Sequence, residues 1–326
     1  MVVDGCNSDA WTLSNTVFQG TVLGPILWNL FLADIEKVAL EMGMEEAKFA
    51  DDSNCFKAYI RDVTNRQILE NLRECQERVH KWGLANRVLF DPAKEAFVIL
   101  HRVDNYGEPF RLLGAHFDTQ LRMHDAIDKL VSKIAPKLAA LLRGHRYHTL
   151  ADMINHYKAH ILCILESISA AIFHACDTGL DRLDRVQNRF LREMELSPER
   201  AFLEFNMGPL RLRRDIAMLG LVHKCVLGVA HQKLCNLFPL DSSEPHRFCT
   251  RFASKRHDRQ VVDRCNGSHS TLLANSIFGC ARVYNLLPQA VVDAKSVSTF
   301  QTALTNHSRS LCKQGDPTWI SSFSTR

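Results

Sequence analysis

The tetrapeptide Phe49-Ala50-Asp51-Asp52 lies between two short apolar runs, and this pattern predicts a β-hairpin with an acidic turn. Paired carboxylates on a turn present oxygen ligands to Mg²⁺. Two such ions, about 3.5–4 Å apart, support nucleotidyl transfer. Adjacent aspartates are also favoured in exposed turns that bind nothing. The tetrapeptide alone therefore leaves both interpretations open.

A second segment, Gln19-Gly20-Thr21-Val22-Leu23-Gly24-Pro25, precedes apolar residues at helical spacing up to Met42. Pro25 suits the first position of that helix. Gly20 lets a nucleotide or base pair approach the backbone, and Gln19 offers both a donor and an acceptor. Taken alone, the segment is equally consistent with a turn followed by an ordinary helix start.

The order of these two segments, with a helix between them, resembles the palm of reverse transcriptases. The Leu-Gly-Pro form and the aromatic residue before Ala-Asp-Asp are similar to the polymerases of non-LTR (LINE-like) retrotransposons. The resemblance implies RNA-directed DNA synthesis, with Asp51 and Asp52 as catalytic Mg²⁺ ligands. It places Gln19, Gly20 and Phe49 at the nucleotide or template.

Trp82-Gly83-Leu84, followed by residues 89–94, is similar to a family segment whose lysine lies near the incoming nucleotide. The resemblance makes Lys94 a candidate proton donor or triphosphate contact. Asp91 and Glu95 depart from the family pattern, which has Asn and then Thr or Ser at these places. A solvated lysine is the alternative.

The stretch from Leu112 to Asp118 is similar to the primer grip between palm and thumb, which implies that Leu113 and Gly114 contact the primer. A hairpin with no ligand is the alternative. Residues 183–192 and 282–288, with Phe300, resemble family segments beyond the thumb and extend the match over nearly the whole chain. We expect no catalytic residue in these last segments.

The 326 residues are 46% hydrophobic and 23% charged, which excludes a disordered chain and is ordinary for a globular one. The resemblance to a polymerase palm implies an α+β fold. We expect a partial palm over residues 1–118 and a mostly helical thumb or connector over 119–240. A basic C-terminal extension follows over 241–326. Within the palm, the pattern predicts a helix over 26–42, a second near 63–82 and strands near 96–100 and 110–117.

The net charge of +4 is concentrated in the C-terminal extension, which holds eleven Lys/Arg and six Asp/Glu. A basic stretch of this kind contacts phosphates without sequence specificity, or is a solvated face. The candidate nucleic-acid-binding residues are Arg247, Arg251, Lys255, Arg256 and Arg259.

Eleven scattered cysteines include no CxxC pair, so reduced thiols in an intracellular protein, nuclear or cytoplasmic, are expected. The longest apolar run, from Leu23 to Ala33, contains Pro25 and is too short for a membrane span. No signal peptide and no membrane partner are therefore expected.

The family's palm takes a third carboxylate from an upstream strand, and the only acidic residues before Gly20 are Asp4 and Asp9. We therefore expect a C-terminal fragment that lacks the third Mg²⁺ ligand and is inactive alone. The implied partners are an RNA template, a DNA primer and a dNTP. The alternatives are a non-catalytic RNA- or DNA-binding protein that uses the thumb and basic tail, and an unfolded relic.

Overall fold

The computed structural model describes residues 20–60, 62–101, 103–104, 106–241, 256–265 and 271–325, and the backbone of Val2–Val3 and Cys6–Asn7. The fold is mixed α+β, with many helices and with strands in two-stranded antiparallel sheets. The chain divides into two compact units, Met1–His101 and Arg102–Arg326.

The first unit contains two hairpins and three helices. Its elements are β1 (Val2–Val3), β2 (Cys6–Asn7), α1 (Gly24–Phe31), α2 (Ile35–Glu41), β3 (Glu45–Phe49), β4 (Asp52–Phe56) and α3 (Asn65–Ala85). A Thr64/Gln67 capping box begins α3. Among the described residues of this unit the buried core is small: Ala39, Met44 and Cys75 form one cluster, and Leu32 and Ile35 are also buried.

Two sequence predictions for this unit are wrong. The helix predicted over 26–42 is divided into α1 and α2 at Leu32, Ala33 and Asp34, where the Lys48 ammonium donates to the Leu32 carbonyl at 2.8 Å. The strand predicted over 96–100 is irregular backbone, since no described strand pairs with it. The spacing of apolar residues predicts neither the division of the helix nor the irregular backbone at 96–100.

The second unit is largely helical. Its elements are β5 (Phe110–Leu112), β6 (Ala115–Phe117), α4 (His124–Arg143), α5 (Leu150–Tyr157), α6 (Cys163–Glu166), α7 (Ser169–Ile172), α8 (Asp177–Glu193), α9 (Pro198–Phe205), α10 (Leu210–Val226), α11 (Gln232–Cys235), α12 (Thr271–Asn275), α13 (Cys280–Asn285), α14 (Gln289–Val292) and α15 (Val297–Lys313). A π-helical turn, Lys158–Leu162, joins α5 to α6.

One core of the second unit lies where α4 packs on α8 and on the helix that α5 begins. Tyr157 and Phe190 are fully buried and stack with their ring centroids 4.2 Å apart. The buried face of α4 extends from Ala126 to Leu138, and the helix continues through Pro136.

A second core packs α10 against α13 and α15 and includes Val261, which follows the basic residues Arg256 and Arg259. At its centre the buried His223 ring stacks on Phe300 at 4.1 Å. The Tyr284 hydroxyl and the Ala294 carbonyl each lie 2.9 Å from a nitrogen of this ring. Residues on both sides of position 241 therefore contribute to one core.

The hydrogen bonds of His223 define its neutral form. Nε2 donates to the Ala294 carbonyl, so Nδ1 accepts from the Tyr284 hydroxyl. Burial lowers the pKa of His223 below the ordinary value for histidine.

Among the described helices, none is long and apolar enough to cross a membrane.

Candidate functional site

The acidic turn predicted from the sequence is a two-residue hairpin loop. β3 and β4 pair antiparallel from Glu45 opposite Phe56 to Phe49 opposite Asp52, which leaves Ala50 and Asp51 as the loop. Ala50 has a φ of 55°, in the left-handed region that favours glycine. Backbone strain of this kind clusters at functional sites but is not by itself a function.

Trp28 of α1 connects the two motifs that were recognised separately in the sequence. Its indole Nε1 donates to the carbonyl of Ala50 at 3.0 Å. The Trp28 ring also lies 5.9 Å from the ring of Phe31, which is 6.0 Å from that of Trp82 on α3. The helix after the Gln-Gly segment therefore holds the acidic turn, a role that the sequence pattern did not assign to Trp28.

Asp51 and Asp52 are both exposed, and neither carboxylate makes a hydrogen bond or ion pair with another described residue. In the strands next to the turn, Ser53 donates to the buried Glu46 carboxylate at 2.5 Å, and the Lys48 ammonium lies 3.2 Å from the other oxygen of that carboxylate. The turn thus presents two oxygen-bearing side chains to solvent on a constrained backbone.

These carboxylates fit a hard cation chemically, since Mg²⁺ is bound in proteins through one or two carboxylates together with water and phosphates. They do not form a closed cage. Across the residues that the structure describes, no group of three or more His, Cys, Asp or Glu side chains is arranged to hold a metal ion.

Gln19 lies outside the described residues, so its expected contact with a nucleotide stays a prediction. Gly20 is exposed at a φ of 82°, with open space where a β-carbon would stand. Phe49, at the end of β3, has 64% of its surface exposed. Both residues are accessible to a ligand.

Lys94 ends a short 3₁₀ turn, Pro92–Lys94, that is capped by the side chain of Asp91. Its ammonium is exposed and lies 3.8 Å from the Asp91 carboxylate. Glu95 is bound to α3 through His80 at 2.7 Å and through Gln76. The two residues that depart from the family pattern therefore have structural roles, as cap and as anchor.

The predicted primer-grip hairpin is formed by β5 and β6. Leu113 and Gly114 make its two-residue turn with φ values of 47° and 84°, a pair of positive angles typical of tight hairpins. Leu113 is exposed. The hairpin is confirmed, and its contact with a primer stays a prediction.

Two positive charges next to His116, Arg111 on β5 and Lys129 on α4, form a group that has no signal in the sequence. Arg111 pairs across the strands with His116, whose Nδ1 lies 3.3 Å from the Lys129 ammonium of α4. Partial burial and the charges of Lys129 and Arg111 lower the pKa of His116. These residues are distant in sequence, so only the β-register and the packing of α4 bring them together.

The basic tail is only partly described, because Arg247, Arg251 and Lys255 lie outside the described residues. Arg256 donates to the Leu286 carbonyl at 3.3 Å, and Arg259 donates to the Val292 carbonyl at 3.0 Å. Both guanidinium groups thus donate hydrogen bonds to backbone carbonyls of the second core. Their charge alone did not indicate this structural role.

Comparisons of the chain with protein-family models, with curated proteins and with solved structures find no match.

Proposed function

We propose that this chain is the palm-and-thumb segment of a reverse transcriptase of the non-LTR retrotransposon type, which acts in template-directed DNA synthesis on RNA. The observation that carries the proposal is the exposed, unpaired pair of carboxylates at the turn of β3 and β4. The hydrogen bond from Trp28 supports it, because it joins this turn to the helix that follows the Gln-Gly segment.

In this function Asp51 and Asp52 bind Mg²⁺ through their carboxylate oxygens. The metal supplies charge stabilisation and activation of a hydroxyl nucleophile when bound. Phe49 offers an exposed aromatic face for a base or sugar, and Lys94 offers a mobile positive charge for phosphate oxygens. Leu113 and Gly114 would meet the primer on the second unit's hairpin.

Metal binding at the turn is the direct test. Mn²⁺, added as a probe for Mg²⁺, should broaden the NMR signals of residues around Asp51 in the full chain. The double variant Asp51→Asn/Asp52→Asn should lose this broadening, and the exposed control Asp62→Asn should keep it. Equal broadening in the double variant contradicts the proposal.

Primer extension separates the family activity from the activity of this chain. With a DNA primer on an RNA template, dNTPs and Mg²⁺, we expect binding but no extension, because the turn supplies two carboxylates and the family uses three. Mg²⁺-dependent synthesis that is lost in Asp51→Ala would overturn the expected inactivity. It would also support the assignment of the turn as the catalytic centre.

A second candidate function is non-catalytic binding of RNA or hybrid duplex, and the Arg111, His116 and Lys129 group favours it. Cations held together in this way attract phosphates with an affinity that falls as salt rises. Replacing Arg111 and Lys129 with Ala should lower the salt slope by about one unit for each phosphate that the variant no longer binds. Lys37→Ala, an exposed lysine of the first unit, is the control.

The tail is tested in the same assay. Replacement of Arg251, Lys255 and Arg256 should also weaken retention of the duplex if the tail contributes. Absence of any retention at low salt contradicts both candidate functions, because each requires contact with the phosphate backbone.

A further inference from the structure

Three histidine rings lie side by side where α5 passes into the π turn. His148 precedes α5, His156 is in its last turn, and His160 is in the π turn. The ring of His156 lies 5.2 Å from that of His148, edge-on, and 6.0 Å from that of His160, nearly parallel at 14°. His148 and His160 are exposed and His156 is half-buried. His156 therefore stands between two imidazoles at the surface.

The π turn helps to set this spacing. Residues four apart already share one face of an α-helix. A π turn adds one residue to the helical turn, so that side chains four apart come closer to a single line along the axis. The near-parallel rings of His156 and His160 fit this geometry. π turns are rare and frequently occur at functional positions.

The distances between the rings match those of imidazoles that share a metal ion. Two imidazoles bound tetrahedrally to one Zn²⁺, at a Zn–N distance of about 2.0–2.1 Å, have ring centroids about 5 Å apart. The observed centroid distances are 5.2 Å and 6.0 Å. Small rotations of exposed side chains cover the difference.

The nitrogens of these rings are not committed to other described protein groups by hydrogen bonds, whereas those of the buried histidines are. His223 uses both nitrogens, and His257 uses Nε2 for the Tyr284 carbonyl and Nδ1 for the Arg259 amide. A neutral imidazole with a free nitrogen lone pair is the commonest metal ligand in proteins.

An acidic side chain adds a favourable charge next to the rings. Asp152 accepts from the Thr149 hydroxyl at 2.6 Å, and this hydrogen bond, together with the neighbouring His148 and His156, lowers its pKa. Asp152 therefore keeps its negative charge beside the histidines at neutral pH. Its Oδ2 is occupied by the capping box with Thr149, and Asp152 is a charged neighbour of the site to which we assign no ligand role.

We propose that His148, His156 and His160 bind one divalent transition metal ion of the Zn²⁺ class, with His156 as the central ligand. No three described His, Cys, Asp or Glu side chains converge on one point, so binding requires the exposed rings to rotate toward His156. Water completes the coordination. The site is separate from the acidic turn in ligand chemistry, because Mg²⁺ prefers oxygen ligands and these are nitrogen ligands.

Zinc titration of the full chain, followed by calorimetry in excess Mg²⁺, tests the proposal. We expect one Zn²⁺ site that Mg²⁺ does not occupy. Replacing His156 or His160 with Ala should weaken it by at least about tenfold, because one of the three chelating ligands is lost. His148→Ala should weaken it as well. Saturating Zn²⁺ should raise the Tm of the wild type and not that of His156→Ala.

Two nearby residues give matched controls. His145→Ala removes an exposed histidine outside the group, and Cys163→Ser removes an exposed thiol in α6. Both variants should keep the wild-type affinity. The proposal is overturned if no Zn²⁺ site is found, if His156→Ala binds as tightly as the wild type, or if Cys163→Ser abolishes binding.

The fold of the variants is checked by the Tm without metal. If His156→Ala fails to fold, the exposed His160→Gln decides between the two outcomes, since its side chain contributes no buried contact. If Mn²⁺ does not bind at Asp51 and Asp52, the Zn²⁺ titration of the histidines is unaffected. The two proposals can therefore fail independently of each other.

Discussion

The two units of the molecule differ in how they bury apolar side chains. In its described residues the first unit buries few apolar side chains, of which Ala39, Met44 and Cys75 form a cluster. It leaves large apolar side chains exposed along α1 and near the end of α3, namely Val22, Leu23, Ile26, Leu27, Leu30, Leu84 and Leu89. The second unit has two large cores with fully buried aromatic residues, among them Tyr157, Phe190, Tyr284 and Phe300.

The unit with the larger apolar cores is therefore not the unit that carries the acidic turn. Apolar burial contributes roughly 25 cal/mol per Å², so the second unit has much the larger source of stabilisation. The first unit carries the acidic turn, and local hydrogen bonds such as those from Trp28 and Lys48 hold it. A unit with little buried surface opens at a low free energy, as expected for segments that must move around a ligand.

The largest effect is expected from Phe190→Ala in the second unit. It removes a fully buried ring stacked on Tyr157 and should lower the free energy of unfolding by about 3–5 kcal/mol. Urea denaturation followed by far-UV circular dichroism measures the loss. The exposed control Tyr147→Ala should change it by less than about 0.5 kcal/mol. A loss below about 1 kcal/mol would show that this core is not the main source of stability.

Met44→Ala makes the same kind of change in the first unit. The small core around it can collapse onto the space, so the expected cost is about 1–2 kcal/mol, below that of Phe190→Ala. Hydrogen exchange should report faster opening of amides in β3 and α3 and no change in α8. Equally faster amide exchange in α8 would show that the effect of Met44→Ala is not confined to the first unit.

The buried His223 gives the second unit a pH dependence. Its pKa is lowered in the folded chain, whereas in the unfolded chain it binds a proton near the ordinary value of about 6.5. Its contribution to stability is therefore complete above about pH 6.5 and falls as the pH drops below it, by at most about 1.4 kcal/mol per pH unit. Urea melts between pH 7.5 and 5.5 measure this slope.

His223→Gln is the matched variant, because an amide can accept from the Tyr284 hydroxyl and donate to the Ala294 carbonyl without titrating. It should flatten the slope below pH 6.5. An unchanged slope in this variant would assign the pH dependence to other groups.

The smallest effect is expected at the acidic turn. Ala50 has a φ of 55°, so Ala50→Gly should relieve strain and stabilise the first unit by about 1 kcal/mol. Slower hydrogen exchange in β3 and β4 would show it. The control Ala47→Gly, within β3, should instead speed exchange, because glycine weakens a strand interior. If Ala50→Gly destabilises the hairpin, the turn is not strained.

The sequence predicts the regular parts of the fold well and the irregular parts poorly. Periodic apolar spacing placed α3 near its observed position, because burying one face of a helix determines that spacing. It did not predict α15, whose seventeen residues include many Ser and Thr. Within the region 119–240, expected to be mostly helical, it did not predict the π turn after α5.

The residues of the candidate site likewise divide into those that the sequence predicts and those that it does not. The carboxylates of Asp51 and Asp52 could be found from the sequence because they are adjacent and lie in a turn. Trp28 could not, since its bond to Ala50 spans 22 residues and depends on how α1 lies against the hairpin. The Lys129 and His116 pair depends likewise on tertiary packing.

The π turn between α5 and α6 also bears on how this helix can change. A π turn contains one residue more than the α-helical turn it replaces. Deleting a single residue from 158–162 would therefore leave a continuous α-helix and keep the following Cys163–Glu166 segment in register with its buried Leu165. We expect the helix to tolerate such a deletion there and to be disrupted by the same deletion in α8. A chain that lost this one codon would keep the register of the following helix and change the spacing of the histidines on its surface.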